Sequence, residues 1–150
     1  MSNRKSSTQT GSAAALAAEM RAVFRKLKLR LREHGRRDDL TLSQVSVVLR
    51  LEKDGPATVS SLARVEGMRP QSMSAVVTPL HESGLVRGAP DPSDGRQTLM
   101  SLTPKCLKLL QDGRAARQDW LTTRISQKLS VQERQQLQAA LEVLTRLIED

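Results

Sequence analysis

The sequence predicts a mainly α-helical fold with one small β-hairpin. Apolar residues recur every three or four positions along most of the 150 residues, whereas a stretch after residue 97 alternates between apolar and polar residues. The apolar content of 38% is enough for a single domain with its own core. We therefore expect one folding unit.

Composition also limits where the protein works. Its one cysteine, Cys106, cannot form an intrachain disulfide, and no segment approaches the roughly 18 uncharged apolar residues of a membrane span. The basic N-terminus leads only into a short alanine run interrupted by charge, which makes a poor signal peptide. These features predict a cytoplasmic protein with no membrane partner.

The formal charge of +8 is concentrated at the N-terminus. Residues 1–37 contain ten Lys and Arg against two acids, whereas residues 55–101 contain four of each. A basic chain favours an acidic partner such as nucleic acid. A nucleic-acid surface in the middle of the chain would therefore depend on a few placed arginines.

The first helix is predicted over residues 13–36, after a disordered basic tail over residues 1–12. Its apolar stripe advances by three or four residues and consists of Leu16, Met20, Val23, Leu27 and Leu31. A basic stripe at the same spacing consists of Arg21, Arg25, Lys28 and Arg32. Such a stripe is typical of a solvated face, and phosphate contact is the alternative.

The next helix is predicted to begin after Thr41, an N-cap residue that forms a capping box with Gln44. Gly55 and Pro56 end this helix. A second short helix over "VSSLARVEG" should direct Leu62 and Val65 inward and stop at Gly67.

A third helix opens at Pro70 and extends to about Ser83, because proline suits the first helical position. Two short helices separated by "GMR" outline a helix-turn-helix. Pro79 lies inside the third helix, where it removes a hydrogen bond, and we expect a kink or an early loosening of the last turn.

The third helix has two contrasting faces. Its apolar arc contains Met73, Val76, Val77 and Leu80. The opposite face is small and uncharged, with Gln71, Ala75 and Thr78 outward and Ser74 on the flank. Amide and hydroxyl groups can read base edges in the major groove, and alanine leaves room or meets a thymine methyl.

A β-hairpin is predicted to follow Gly84. Leu85 and Val86 begin one strand, "QTLMSLT" alternates as the returning strand, and Asp94-Gly95 is a turn signal between them. A hairpin after a helix-turn-helix indicates a winged helix, and a plain surface hairpin is the alternative. We place this winged helix-turn-helix over residues 40–102.

The stretch from "LTLSQVSVVLRL" through "HESGLVRGAPDPSDGRQTLMSLT" resembles the MarR family of bacterial winged helix-turn-helix transcriptional regulators. The most specific part is Asp94-Gly95-Arg96, followed by a strand and "LT". The resemblance implies that Arg96 reaches into the minor groove and that Asp94 orients a guanidinium, either that of Arg96 or that of Arg87. The helix opened by Pro70 matches the recognition helix, whose candidate DNA contacts here are Arg69, Gln71, Ser72, Ser74, Ala75 and Thr78.

Residues 103–150 are predicted to form two further helices. The first begins with Thr103-Pro104 and runs to about Leu129, while Ser130 and Glu133 form a capping box for the second. The apolar stripe of the second helix consists of Leu137, Leu141, Leu144 and Ile148. In the family the N- and C-terminal helices interlock, so the resemblance implies a homodimer on a pseudo-palindromic DNA site.

Three single residues have alternative interpretations. Cys106 suits a buried thiol better than a redox sensor, because the peroxide-sensing relatives carry the reactive cysteine in the N-terminal helix. Trp120 suits a dimer core better than an effector pocket, and nothing in the spacing shows that His34 approaches a ligand cavity. His81 has no second histidine or carboxylate at metal-binding spacing, so we expect no metal.

The sequence predicts a DNA-binding transcriptional regulator and not an enzyme. No nucleophile, base or metal constellation is present in the sequence, and no cofactor is expected. We expect a MarR-type repressor of double-stranded DNA relieved by a small ligand, for which aromatic acids and phenols are the candidates. The alternatives are a winged-helix module that binds protein instead of DNA, and a redox regulator that acts through Cys106.

Overall fold

The computed structural model describes the backbone of residues 4–35 and 39–150 and the side chains of residues 12–35 and 39–150. The helices are α1 Arg4–His34, α2 Leu42–Asp54, α3 Val59–Val65, α4 Pro70–Glu82, α5 Pro104–Lys128 and α6 Val131–Ile148. The strands are β1 Ala57–Thr58, β2 Val86–Pro90 and β3 Thr98–Leu102. The predicted mainly α-helical fold with a β-hairpin is confirmed. None of the helices in the described part of the chain is both long enough and apolar enough to cross a membrane.

Helix α1 begins earlier than expected. The tail predicted over residues 1–12 is wrong from Arg4 onward, where the backbone is helical, and residues 1–3 lie outside the described residues. The physical reason is that extending a helix adds a hydrogen bond for each residue fixed, whereas only nucleation is unfavourable. The alanine run from Ala13 supplies a strong helix-forming segment from which the helix extends backward.

The two predicted capping boxes are confirmed. Thr41 Oγ1 accepts from the Gln44 backbone N–H at 3.2 Å, and Gln44 Oε1 accepts from the Thr41 N–H at 2.9 Å. Ser130 and Glu133 make the same reciprocal pair at the start of α6. Each box satisfies two backbone donors that the first helical turn would otherwise leave unpaired.

The sheet has three antiparallel strands in the order β1-β3-β2. In the predicted hairpin, Val86 pairs with Leu102 and Pro90 pairs with Thr98. Strand β1 was not predicted, because two residues are too few to show an alternating pattern; it pairs Ala57 with Met100.

The chain divides into two compact units, residues 35–115 and the combination of residues 1–34 with 116–150. The first unit extends beyond the expected 40–102, because Cys106 and Leu110 near the start of α5 are buried in its core. That core consists of Val47, Val48, Leu51, Leu62, Ala63, Met73, Val77, Leu80, Leu85, Val86, Met100, Cys106 and Leu110.

The second unit has no buried residue among its described side chains, 12–34 and 116–150. Trp120 is half-buried and stacks on His34, with ring centroids 4.8 Å apart, while the Arg124 guanidinium lies 6.0 Å from the centroid of the Trp120 ring. The large apolar side chains exposed in this unit are Leu16, Val23, Phe24, Leu29, Val131, Leu137, Leu141, Val143, Leu147 and Ile148.

Candidate nucleic-acid interface

Helix α4 is held in place by its buried side. Met73, Val77 and Leu80 are all at most 5% exposed and belong to the core of the 35–115 unit. Pro70 occupies the first turn, and Arg69 is the N-cap residue without a side-chain capping bond. Because three core residues at helical spacing fix the rotation of α4, its opposite face is fixed toward solvent.

All six predicted contact residues of this helix are exposed, and they form one surface. Gln71, Ala75 and Thr78 lie opposite the buried side chains, whereas Ser72 and Ser74 flank them. Arg69 precedes the first turn. The exposed residues of this surface are Arg69, Gln71, Ser72, Ser74, Ala75 and Thr78.

Thr78 makes a defined local hydrogen bond. Its Oγ1 donates to the backbone carbonyl of Ser74 at 2.8 Å. This bond fixes the side chain and uses the hydroxyl hydrogen, so that the oxygen lone pairs and the methyl group remain for an external partner.

The expected loosening after Pro79 is wrong, since α4 continues to Glu82. Gly84, at φ 72°, ends the helix in the left-handed conformation, and the Leu85 N–H returns to the Leu80 carbonyl at 2.9 Å. Two residues at the start of α5 also donate hydrogen bonds to carbonyls at the C-terminal end of α4. Thr103 Oγ1 donates to the Gly84 carbonyl at 2.6 Å, and Lys105 Nζ donates to the Ser83 carbonyl at 2.8 Å. These bonds satisfy carbonyls at the C-terminal end of α4.

The turn before α4 is anchored by a residue that the sequence analysis missed. Glu66 accepts from Ser46 Oγ at 2.9 Å and from Arg50 Nε at 3.4 Å, both on α2. Gly67, at φ 65°, then reverses the chain, and the Met68 N–H donates to the Ala63 carbonyl at 2.8 Å. Glu66 therefore fixes the entry into α4 relative to α2.

The prediction that Val65 faces inward is wrong, because its side chain is 53% exposed. Leu62 and Ala63 are buried, Val59 is half-buried, and Glu66 follows at the same helical periodicity. The inward positions are therefore i, i+3, i+4 and i+7 from Val59. That pattern was available in the sequence and would have indicated that Glu66 faces α2.

The hairpin tip is closed by backbone and aspartate hydrogen bonds. Asp91 Oδ1 accepts from the Ser93 N–H at 2.8 Å, and Asp94 Oδ1 accepts from the Arg96 N–H at 3.1 Å. Two backbone bonds complete the tip, from Gln97 N–H to the Asp94 carbonyl at 3.0 Å and from Asp91 N–H to the Gln97 carbonyl at 2.9 Å. Side chains that bond to the backbone two residues later stabilise tight turns.

The expected role of Asp94 is corrected by this geometry. Its carboxylate contacts the backbone of Arg96, and no guanidinium pairs with it among residues 12–35 and 39–150. The physical reason is proximity, because an aspartate in a turn reaches the N–H two residues on without ordering a long side chain. Asp94, Gly95 and Arg96 are all exposed, so the Arg96 guanidinium is free to meet an external anion.

Gly88 fixes how closely the two strands of the hairpin approach. A Cβ at this position would lie 2.7 Å from Cγ2 of Thr98, which is shorter than van der Waals contact. A side chain at position 88 would therefore force the exposed side chain of Thr98 to move.

Cys106 is fully buried, and burial raises the pKa of its thiol, with the charge of Glu52 adding to the effect. A raised pKa leaves little thiolate near neutral pH, and the thiolate is the reactive form. The redox alternative is therefore not supported.

Glu52 also accepts two hydrogen bonds from the guanidinium of Arg114, one of them at 3.0 Å, which raises the pKa of Arg114.

The two short helices, the turn between them and the adjoining hairpin together define a winged helix-turn-helix protein. The model of the MarR family matches residues 40–98. An HTH-type transcriptional regulator of Mycobacterium bovis is 34% identical over 137 residues, which cover 91% of this chain and 95% of the relative. The chain therefore belongs to the MarR family and is a DNA-binding transcriptional regulator, not an enzyme.

Solved structures agree with this assignment. A transcriptional regulator protein from Pseudomonas aeruginosa is 32% identical with a TM-score of 0.75, and the match covers 90% of this chain and 95% of that one. A mutant of Staphylococcus aureus MepR bound to an oligodeoxyribonucleotide is 20% identical with a TM-score of 0.71. Coverage in that match is 89% of this chain and 98% of MepR. At that identity the likeness to MepR shows the shared fold alone.

The contacts of Glu66 predict a loss of stability when its charge is removed. In Glu66→Gln the acceptor of Arg50 becomes neutral, and we expect the free energy of unfolding to fall by about 1 kcal/mol because the pair is partly exposed. Urea denaturation measures this difference. The matched control is Glu142→Gln on an exposed position of α6, which should leave stability unchanged, and equal stability of the two variants would contradict the role of Glu66.

Proposed function

We propose that this protein represses transcription as a homodimer bound to a pseudo-palindromic operator. The observation that carries the proposal is the outer face of α4, which is exposed, uncharged from Gln71 to Thr78, and held outward by the buried side of the same helix. Surface helices normally expose lysine, glutamate and arginine. A face of amide, hydroxyl and methyl groups suits base edges in the major groove.

The N-terminal end of α4 is the part expected to enter the groove most deeply, as in other helix-turn-helix proteins. Arg69 lies at this end, where free backbone N–H groups of the first turn also favour an anion. We assign Arg69 and the flanking Ser72 and Ser74 to the phosphate backbone, and Gln71, Ala75 and Thr78 to the bases.

The wing supplies the second contact. The hydrogen bonds of Asp91 and Asp94 fix the backbone of the tip, and Arg96 extends from that tip as an exposed cation. A narrow minor groove concentrates negative potential and attracts arginine. We therefore assign Arg96 to the minor groove, with Asp94 holding the backbone and not the guanidinium.

The homodimer is supported by the exposed apolar side chains of α1 and α6. Leu137 and Leu141 lie on one face of α6 and are 36% and 49% exposed, and Ile148 on the same face is 81% exposed. Apolar surface in water is unfavourable by roughly 25 cal/mol per Å², so these faces favour association. A second copy offers an identical apolar face and closes the assembly by two-fold symmetry.

MepR supports the DNA-binding mode by analogy, because its structure contains a bound oligodeoxyribonucleotide on a fold that matches most of this chain. Two recognition helices in a dimer would reach half-sites about one helical turn apart. A pseudo-palindromic operator is therefore the DNA that the dimer fits best.

The wing assignment predicts weaker operator binding in Arg96→Ala. We expect affinity to fall by about 100-fold, because each of the two subunits loses a charge-assisted contact of roughly 1.5 kcal/mol. A salt-dependent gel shift on the promoter region of the protein's own gene measures the effect. Arg146→Ala removes the same charge from the exposed surface of α6 and should bind as the original protein does. Equal affinities of the two variants would show that the wing does not contact DNA.

The dimer assignment predicts that Leu141→Glu is monomeric, because a carboxylate buried in an apolar interface would be unpaired. Light scattering after gel filtration measures the mass, and operator affinity should fall because two linked half-sites bind more tightly than one. Gln135→Glu adds the same charge on the opposite face of α6 and should remain dimeric. A dimer of Leu141→Glu with unchanged dissociation would refute this interface.

We further propose that a small aromatic acid or phenol relieves repression. A cleft of about 330 Å³ in the 35–115 unit is lined by Leu40, Leu85 and Leu109, by Lys105 and Lys108, and by Asp39, Ser83 and Asp112. Lys108 is paired with Asp112 at 3.0 Å, so Lys105 is the cation that this apolar cleft offers to an aromatic anion. Lys105 donates a hydrogen bond to the Ser83 carbonyl at the end of α4. An anion that pairs with the Lys105 ammonium would break this bond, disturb the recognition helix and lower operator affinity.

This proposal predicts that an aromatic carboxylate such as benzoate raises the melting temperature and weakens operator binding. Lys105→Met should abolish both effects, whereas Lys128→Met, at the other end of α5, should retain them. Transcription in vitro from the promoter of the protein's own gene should fall on adding the protein and recover with the ligand. Stabilisation without a change in DNA affinity would count against relief by a ligand at this cleft.

A further inference from the structure

We infer that each operator half-site read by α4 consists mainly of A·T pairs, with Thr78 against a thymine methyl and Gln71 on an adenine. This inference rests on the proposed DNA-binding function and specifies the bases that the same surface selects. It follows from the chemical groups that the outer face of α4 presents and from one hydrogen bond within it.

Guanine has no arginine or lysine partner within α4 itself, since the N-cap residue Arg69 is assigned above to the phosphate backbone. Its major-groove edge presents two acceptors, N7 and O6, which proteins contact most often with the paired donors of arginine or the ammonium of lysine. Within α4, all of which is described, no arginine or lysine is present, and the charged side chain on the outer arc is Glu82. Glu82, one turn beyond Thr78, is an acceptor and cannot bond to guanine N7 or O6; its carboxylate would accept from a cytosine N4 amino group, so the A·T preference belongs to the positions read by Gln71, Ala75 and Thr78.

The hydrogen bond that Thr78 donates within α4 limits which base groups its side chain can contact. Because Oγ1 donates to the Ser74 carbonyl at 2.8 Å, the hydroxyl hydrogen is not available to guanine N7 or O6. What remains is an acceptor oxygen and the Cγ2 methyl. A methyl group packs on the C5 methyl of thymine, and the oxygen can accept from the amino group of the paired adenine.

Ala75 extends the same apolar surface. It lies three residues before Thr78, so the two side chains are neighbours on the outer face of the helix. Both are exposed, and neither presents a donor that an acceptor on guanine would need. Two adjacent methyl groups therefore favour thymine methyls over the bare edge of cytosine.

Gln71 supplies the donor and acceptor pair that adenine requires. Its amide is exposed and makes no side-chain hydrogen bond within the described residues. A glutamine amide can donate to adenine N7 and accept from its N6 amino group at the same time, and that pairing distinguishes adenine from the other three bases.

The wing gives a second, independent preference in the same direction. The exposed guanidinium of Arg96 is best accommodated where the minor groove is narrow, and A-tracts have the narrowest groove. The DNA that flanks each half-site should therefore also be rich in A·T pairs.

The first test selects duplexes from a random pool with the full-length protein and sequences those retained. We expect half-sites and flanks enriched in A·T pairs. Strong selection of half-sites centred on G·C pairs would overturn the inference while leaving the DNA-binding function intact. Retention of no sequence over random duplex would instead overturn the proposed function.

The second test replaces single bases in the selected duplex. Uracil in place of the contacted thymine removes only the C5 methyl, and affinity should fall by about fourfold per half-site, the effect of one buried methyl group. Thr78→Val keeps Cγ2 and should keep this sensitivity, whereas Thr78→Ser lacks the methyl and should lose it. Equal binding of thymine and uracil duplexes at every half-site position by the unmodified protein would overturn the contact.

The adenine contact is tested in the same way. Replacing adenine by 7-deazaadenine removes the N7 acceptor, which should weaken binding by the original protein about tenfold if one of two paired hydrogen bonds is lost. Gln71→Ala should bind the two duplexes equally. Full sensitivity of Gln71→Ala to the deaza base would assign adenine recognition to another residue and overturn this part of the inference.

Discussion

Burial of one side of α4 is the constraint on which the rest of the structure depends. Met73, Val77 and Leu80 occupy the core together with residues of α2, α3, the hairpin and α5. Once these side chains are buried, the helix cannot rotate without exposing them, at an unfavourable free energy of about 1.5–3 kcal/mol for each large apolar side chain. Stability of the unit and orientation of the surface that we propose reads DNA therefore have the same physical origin.

Polar contacts then set the position of α4 at both ends. Glu66 connects the turn before the helix to α2, and Thr103 and Lys105 connect its last carbonyls to the start of α5. At the wing, hydrogen bonds from the backbone to Asp91 and Asp94 fix the loop from which Arg96 extends. They order this loop as burial orders α4. In each case hydrogen bonds within the protein fix a stretch of backbone, and the side chains carried by that backbone are exposed to solvent.

The features that were predictable from the sequence are those determined by nearby residues. The capping boxes at Thr41 and Ser130, the proline start of α4 and the Asp-Gly turn all depend on contacts within three or four positions. The inward spacing of Val59, Leu62, Ala63 and Glu66 was present in the sequence, but a local pattern does not say which element lies opposite. The partner of Glu66 on α2 and the pairing of strand β1 depend on that information. The partner of Asp94 was equally undetermined, because a turn aspartate can bond to its own backbone or to a distant guanidinium.

The two faces of α4 have a consequence for how such regulators diverge. Since the core uses Met73, Val77 and Leu80, substitutions at Gln71, Ala75 and Thr78 replace exposed groups and change stability little. A duplicated gene could therefore acquire a different operator by a few changes on one helix while the fold is conserved. Regulators with this fold can therefore change their DNA target through a series of variants that all remain folded.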